Sequence, residues 1–235
     1  MTKQEARERI LRTGIVPVVR ASSAKQAIMA VDAVCLGGIP IAEITMTVPG
    51  AIAVIRELVR NFGTRVLVGA GTVLNAAIAQ ECLDAGAQFL VSPGLLAPVI
   101  DLARSNQTLV MAGALTPTEV ITAWKAGADF VKVFPCGAVG GPEYIKALRG
   151  PLPDVPFVPT GGVSLHNAAD FVRAGAAALG VGGELVQSRA LAASRFDIVA
   201  DNARKFVQAI SEALAQAQQQ HLETASAARL GKVGC

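Results

Sequence analysis

The chain has 235 residues and a formal net charge of +3, and its basic residues are scattered, which gives no footprint for nucleic acid. No apolar run approaches the roughly 18 residues that span a bilayer, and no basic-then-apolar leader opens the sequence, so we expect a cytoplasmic protein without a membrane partner. The length is close to the roughly 250 residues that are typical of an eightfold β/α barrel.

Apolar runs that predict β-strands alternate along the chain with stretches that predict helices. The predicted strands are residues 15–20, 39–45, 66–72, 89–92, 109–112, 130–134, 157–160 and 178–181. Helices are predicted at 51–60, 76–85, 96–104, 118–126, 143–148, 165–174 and 195–220, and another precedes the first strand. Such alternation indicates a parallel sheet, and eight strands indicate a closed barrel. A doubly wound sheet is the alternative, but it does not require so even a spacing.

The sequence therefore predicts an α/β fold, a single-domain (β/α)8 TIM barrel over residues 1–222. A loose, flexible polar tail is predicted over 223–235. A short recurring sequence motif supports the barrel. Its glycines each follow a helical stretch and precede an apolar run, and they are Gly38, Gly86, Gly127 and Gly175. Glycine at such a place predicts a left-handed helix C-terminus, and each interval has room for two β/α units.

One lysine stands inside an otherwise apolar predicted strand. Lys132 lies between Phe130 and Phe134, and alternation with period two puts all three on one face. If both faces of the strand are covered, desolvation favours the neutral amine, which is the form that attacks a carbonyl carbon in Schiff-base chemistry. The alternative is a lysine at a strand end that reaches water or pairs with a carboxylate.

Four other polar side chains stand in the middle or last third of predicted strands: Arg20, Glu43, Thr72 and Thr160. Alternation with period two places Thr72 on the same face of its strand as residues 66, 68 and 70. Chemistry in a β/α barrel sits at the carboxyl ends of the strands, so we expect these side chains around one mouth with Lys132. Each alone has a structural explanation, as a counter-ion, a rim salt bridge or a hydroxyl that bonds backbone. Their convergence predicts an active site, because buried charges are costly unless they pair or function.

Glycine-rich turns follow the seventh and eighth predicted strands. The first contains Gly161 and Gly162, and the second contains Gly182 and Gly183. Glycine lets backbone N–H groups approach an anion closely, and phosphate sites after strands 7 and 8 recur in this fold. The two turns therefore predict a phosphate site across the mouth of the barrel from Lys132. Glu184 counts against it unless its carboxylate points to solvent.

Cysteine and histidine content bears on redox and metal chemistry. The four cysteines have neither C-x-x-C spacing nor the density of a disulfide scaffold, so they are expected to be reduced thiols. Cys136, next to the candidate site, is interpreted as a small buried filler, with a reactive thiol as the alternative. Only His166 and His221 are available as histidine ligands, which argues against a zinc site. We predict no metal and no other cofactor.

Six runs of the sequence together resemble one known family. They are VPVVR at 16–20, AEIT at 42–45, GAGTVLN at 69–75, VSPG at 91–94, VKVFP at 131–135 and VPTGGV at 158–163. The combination resembles the 2-keto-3-deoxy-6-phosphogluconate aldolases, also called 4-hydroxy-2-oxoglutarate aldolases, over roughly residues 5–212. The resemblance implies a class I aldolase of the Entner–Doudoroff type on a β/α barrel, usually a homotrimer. Such an enzyme cleaves the sugar acid to pyruvate and glyceraldehyde 3-phosphate.

The resemblance also implies roles for particular residues. Lys132 would form the Schiff base, and Glu43 would be the general acid/base. Thr72 and an arginine would hold the substrate carboxylate. Some members carry that arginine just after the second strand, where this chain has Met46-Thr47, whereas Arg20 resembles the position that other members use.

The rest of the implied pocket lies around these residues. Thr160 and the two glycine turns would bind the substrate and its phosphate, with Pro93 and Phe134 lining the pocket. Many members place a serine beside the last glycine pair, where this chain reads Gly183-Glu184. Unphosphorylated 4-hydroxy-2-oxoglutarate is therefore an alternative main substrate. The alternatives from other classes are a phosphosugar isomerase or epimerase and a non-catalytic phosphosugar-binding barrel.

Overall fold

The computed structural model describes the backbone of residues 1–230 and the side chains of residues 1–216 and 219. Its parallel strands are β1 (Ile15–Val19), β2 (Ile41–Thr45), β3 (Leu67–Gly71), β4 (Phe89–Val91), β5 (Leu109–Ala114), β6 (Phe130–Val133), β7 (Phe157–Pro159) and β8 (Leu179–Val181). Consecutive strands from β1 to β7 pair in chain order, and β1 also pairs with β8. A bridge between Thr160 and Gly180 joins the ends of β7 and β8. The predicted strands and the (β/α)8 barrel are confirmed.

Helices alternate with these strands. They are α1 (Lys3–Thr13), α2 (Ala24–Leu36), α3 (Ala51–Phe62), α4 (Ala76–Asp84), α5 (Ala97–Ser105), α6 (Pro117–Lys125), α7 (Pro142–Arg149), α8 (Ala168–Arg173), α9 (Ser188–Ala192) and α10 (Phe196–Leu230), with a 3-10 turn at Cys136–Val139. The sequence also indicates a helical stretch before Gly38 and a helix opening after the turn at Gly182-Gly183, without giving their ranges, and α2 and α9 occupy these two places. All four repeat glycines have the predicted left-handed φ, between 88° and 95°, directly after a helix end.

Two helix boundaries differ from the prediction. The helix after β7 begins at Ala168, because residues 164–167 first form a turn in which the Ser164 carbonyl accepts from the N–H groups of Asn167 and Ala168. The last helix continues to Leu230, so the backbone of 223–230 is helical where a loose tail is expected. Residues 231–235 lie outside the described residues. The division into a barrel and a flexible tail stays a prediction.

The N-terminal helix packs under the amino ends of the strands. Lys3 Nζ lies 2.8 Å from Asp129 Oδ1, whose other oxygen accepts from the Val110 N–H at 2.8 Å. The Arg7 guanidinium lies 5.7 Å from the ring centre of Phe130, and α1 contacts both β1 and β5. This end of the barrel is therefore covered, which leaves the carboxyl ends of the strands for chemistry. None of the described helices is both long and apolar enough to cross a membrane.

Candidate active site

Two charged side chains meet inside the carboxyl half of the barrel. Lys132 lies on β6 and Glu43 lies on β2, on opposite sides of the ring, and Lys132 Nζ is 3.8 Å from Glu43 Oε1. The two residues are only 5% and 2% exposed. Among the described residues, Glu43 Oε1 has no hydrogen-bond partner. An unpaired buried oxygen is costly, so this atom is well suited to receive a hydroxyl of a bound substrate.

Glycines on β3 provide the space that Glu43 occupies. The register pairs Glu43 with Gly69, and Gly71 lies two residues further on, so both glycines face the barrel interior. A Cβ on Gly71 would lie 1.9 Å from Glu43 Oε1, and one on Gly69 would lie 2.4 Å from the ring of Phe89. Sequence reasoning missed Gly71 as a site residue. The signal was present, because glycine inside a strand often marks a close approach by another group.

The same strand corrects the interpretation of Thr72. Alternation along 66, 68, 70 and 72 is expected to face the mouth, but the face shared with Glu43 consists of residues 67, 69 and 71. Thr72 follows the strand with a left-handed φ of 59°, so the alternation no longer decides where its side chain points. It is partly buried just beyond the carboxyl end of β3. Its role as a carboxylate ligand stays a prediction.

A cavity of about 290 Å³ opens between the carboxyl ends of β7, β8 and β1, and it is called the distal cavity below. Phe134 lines it, and the ring centre of Phe134 lies 5.5 Å from Lys132 Nζ. The Phe134 ring also lies 3.3 Å from where a Cβ on Gly161 would be. Phe134 is thus close both to the amine and to the first glycine turn, and its role as a pocket residue stays a prediction.

Both predicted glycine turns line the distal cavity. Gly161 and Gly162 have left-handed φ values of 81° and 80°. A Cβ on Gly162 would lie 2.8 Å from the Cα of Gly137, whose N–H donates to the Gly161 carbonyl. This turn therefore requires glycine for its backbone conformation as well as for space. Gly182 and Gly183 form the adjacent wall.

Thr160 is also brought to this cavity. Its residue is 5% exposed, and its hydroxyl donates to the Val158 carbonyl at 3.3 Å. A Cβ on Gly180 would lie 2.1 Å from Thr160 Oγ1, so the neighbouring strand makes room for the threonine. Thr160 thus lies at the same cavity as the glycine turns, and its role in substrate binding stays a prediction.

The position of Arg20 differs from the expected one. Arg20 is expected on the opposite side of the mouth from the glycine turns, but it lines the distal cavity with them. Its Nη1 lies 3.1 Å from where a Cβ on Gly182 would be. The reason is closure of the barrel, which makes β1 the neighbour of β8. The Thr45 hydroxyl donates to the Val19 carbonyl at 3.0 Å and fixes the backbone just before Arg20.

Pro93 lies on the other side of the lysine strand. The hydroxyl of the fully buried Ser92 donates to the Gly94 carbonyl at 2.8 Å and accepts from the Gly113 N–H at 3.3 Å. A Cβ on Gly113 would lie 2.3 Å from the carbonyl carbon of Pro93, and Gly113 pairs with Lys132 in the sheet. This segment is therefore fixed against the strand that neighbours the lysine. Sequence reasoning missed Ser92 and Gly113, of which only the glycine within a strand gave a signal.

The buried thiols of Cys82 and Cys136 are not expected to act as nucleophiles. Burial raises the pKa of Cys136 to about 12 and that of Cys82 to about 12, so both stay protonated at neutral pH. The interpretation of Cys136 as a buried filler agrees with its full burial. In the part of the chain that the structure describes, no three His, Cys, Asp or Glu side chains are grouped so that they could hold a metal ion.

Comparison with known proteins identifies the family. A family model described as "Aldolase: KDPG and KHG aldolase" matches residues 7–201. The chain belongs to this family. The KHG/KDPG aldolase of Escherichia coli (strain K12) is 36% identical over 203 residues, which cover 86% of this chain and 94% of that protein. The expected resemblance is confirmed, and the chain is an aldolase, a carbon–carbon lyase.

Two solved structures are also similar. The KDPG aldolase from Legionella pneumophila, with pyruvate captured at low pH as a covalent carbinolamine intermediate, superposes with a TM-score of 0.79 at 26% identity. It covers 85% of this chain and 96% of that chain. A cube-shaped protein cage designed by fusing symmetric oligomeric domains gives a TM-score of 0.85 at 31% identity, covering 95% of this chain and 81% of that chain.

The match to the KDPG and KHG aldolase family spans every candidate site residue. Residues 7–201 include the chain from Arg20, directly after β1, to Glu184 after β8. A carbinolamine is the adduct of an amine with a carbonyl carbon, so the Legionella complex is consistent with amine chemistry in this family. In this chain, Lys132 is the amine that the fold encloses at the carboxyl ends of the strands, beside an acid.

Proposed function

We propose that this aldolase cleaves 2-keto-3-deoxy-6-phosphogluconate, or a close 2-keto-3-deoxy sugar acid, to pyruvate and glyceraldehyde 3-phosphate through a Schiff base on Lys132. The observation that carries the proposal is the buried pair of Lys132 Nζ and Glu43 Oε1, 3.8 Å apart across the barrel. An amine nucleophile and a proton acceptor so close together can act on adjacent atoms of one substrate.

The reaction begins at the ketone of the substrate. Lys132 Nζ attacks C2, and loss of water from the carbinolamine gives a protonated imine, which withdraws electrons from the neighbouring carbons. Glu43 takes the proton of the C4 hydroxyl, the C3–C4 bond breaks, and its electron pair moves to C3 to form an enamine. The aldehyde leaves. Protonation of C3 and hydrolysis of the imine then release pyruvate and restore the lysine.

The Lys132–Glu43 axis divides the mouth into two halves, which suggests how the substrate lies. The distal cavity occupies the half formed by β7, β8 and β1, and it contains Arg20 and both glycine turns. We place the phosphate end of the substrate there, since a guanidinium and backbone N–H groups both favour an anion. The pyruvyl carboxylate then points to the β3–β5 half, where Thr72 and Pro93 follow their strands. Arg20 is thereby proposed as a ligand of the distal end and no longer as the carboxylate ligand.

Trapping of the imine tests the proposal. Borohydride added with pyruvate should attach a stable adduct to Lys132, and Lys132→Ala should abolish both labelling and cleavage. Lys132→Arg should be equally inactive, because a guanidinium stays protonated. Lys146→Ala is the matched control, since Lys146 is exposed on α7 and should be dispensable. Labelling at another lysine would overturn the site, and no labelling would overturn the Schiff-base mechanism.

We also propose a homotrimer in the cytoplasm. The similarity to a cage built from symmetric oligomeric domains supports an oligomer, as do the apolar side chains of Leu74 and Val139, which are 52% and 37% exposed after β3 and β6. Light scattering should give three times the chain mass of 24.1 kDa. A monomeric mass would contradict the trimer without affecting the proposed chemistry.

A further inference from the structure

We propose that Glu184 determines substrate specificity in the distal cavity by lowering its preference for a terminal phosphate dianion relative to an uncharged hydroxyl end. The proposal rests on the proposed aldolase function and adds to it a residue that determines specificity. It concerns only the end of the substrate that lies away from the reacting carbons.

The distal cavity contains one side chain of each charge. Arg20 and Glu184 both line it, together with the two glycine turns. Among the ion pairs of the described residues, none within 4.0 Å involves either of these side chains. Each charge is therefore available to a ligand, and together they leave the cavity with no net charge from side chains.

The backbone holds Glu184 at the cavity wall. The Gly182 carbonyl accepts from the N–H groups of Leu185 and Val186 at 3.0 and 2.9 Å, which closes a tight turn around Glu184. Asn202, which is 8% exposed on α10, donates to the carbonyl of Glu184 at 3.3 Å. The turn is thus tied to the helix behind it, which holds the backbone of Glu184 at the cavity, where its side chain is exposed.

A hydroxyl end and a phosphate end of the substrate interact differently with Arg20 and Glu184. A hydroxyl can accept from Arg20 and donate to Glu184, so both charges are used. A phosphate dianion gains from Arg20 and from the backbone N–H groups, but Glu184 repels it and has no proton to offer. Even in bulk water, two unit charges near contact interact with a free energy of about 1 kcal/mol, which changes a binding constant about fivefold. A dianion doubles this free energy of repulsion.

A matched pair of substrates tests this inference. We compare kcat/KM for 2-keto-3-deoxy-6-phosphogluconate and for 2-keto-3-deoxygluconate, which differ only in the terminal phosphate. In Glu184→Gln and Glu184→Ser, the ratio of phosphorylated to unphosphorylated kcat/KM should rise about tenfold or more. The rise should shrink when salt is raised from about 0.05 to 0.5 M, because exposed charges are screened. Glu81→Gln, an exposed glutamate on α4, should leave the ratio unchanged.

The possible outcomes separate this inference from the proposed function. If the ratio stays the same in both Glu184 variants, or changes as much in the Glu81 control, Glu184 does not set specificity and the inference fails. Borohydride trapping with pyruvate does not involve the distal cavity, so it should be normal in the Glu184 variants. Loss of trapping at Lys132 in the unmodified enzyme would instead overturn the aldolase mechanism itself.

Discussion

Gly71→Ala offers a sharp test of the site, because it adds one methyl group against the proposed acid/base without replacing any residue that is proposed to contact substrate. The added Cβ would lie 1.9 Å from Glu43 Oε1 and 2.6 Å from both Glu43 Cδ and Cγ. The strand cannot easily retreat, since the Gly71 carbonyl accepts from the Met46 N–H at 2.8 Å and the residue pairs with Thr45. The carboxylate must therefore move.

The distance that the Glu43 carboxylate must move sets the expected fall in kcat. Contacts of a real Cβ are essentially never shorter than 3.0 Å, so Glu43 Oε1 has to shift by about 1 Å or more from its place beside Lys132. A misplacement of about 1 Å in a catalytic group can lower the rate about 10²-fold. The overpacking itself should cost about 1–3 kcal/mol of stability. We expect kcat to fall about 10²-fold, with imine trapping by borohydride still detectable.

The assay follows pyruvate release, and two controls isolate the cause. Gly94→Ala adds a methyl group in the β4–α5 loop where nothing lies within 4 Å, so it should keep nearly full activity. In a Glu43→Ala background the clash is absent, so Gly71→Ala should then cost much less stability than it costs alone. Normal kcat in Gly71→Ala, or an equal stability loss in both backgrounds, would refute the idea that Gly71 positions Glu43.

Three further predictions concern single side chains. Glu43→Gln keeps the shape but removes the proton acceptor, so kcat should fall about 10²-fold or more while the imine still forms; an unchanged kcat would make Glu43 only a counter-ion. Arg20→Lys loses the planar fork, so competition by inorganic phosphate should weaken while pyruvate trapping stays normal; the reverse result would return Arg20 to the carboxylate. Burial raises the pKa of both Cys82 and Cys136 to about 12, so neither should react with a thiol reagent at about pH 8 until the protein unfolds; rapid labelling at either of these two positions in the native protein, located by peptide mapping, would contradict this.

Much of the barrel could be predicted because its signals are local. A parallel strand covered on both faces gives a short apolar run, and the glycines at the helix ends repeat with a left-handed φ. Lys132 and Glu43 were identifiable for a related reason. A charged residue in the middle of such a run has few structural explanations, and the structure brings these two within 3.8 Å.

Which face of a strand points into the barrel could not be predicted in the same way. When both faces of a strand are buried, apolar alternation does not tell which one points into the barrel. On β3 the parity of Thr72 with residues 66, 68 and 70 suggested that these face the barrel interior, yet Gly69 and Gly71 occupy that face because Phe89 and Glu43 need the space. The neighbouring strands decide the face, and a single-strand pattern does not contain that information.

Arg20 shows the corresponding limit for the site as a whole. The predicted closed barrel already makes the first strand a neighbour of the last, but the assignment of Arg20 to the substrate carboxylate placed it away from the turn after β8, which it lines in the structure. The positions of glycine within strands hold part of the missing information. Gly71 faces Glu43, and Gly180 faces Thr160, and in each case a side chain would collide with the polar group of the next strand. In this barrel the polar residues indicate what the site contains, whereas the glycines indicate which strands lie side by side and how closely the polar groups approach them.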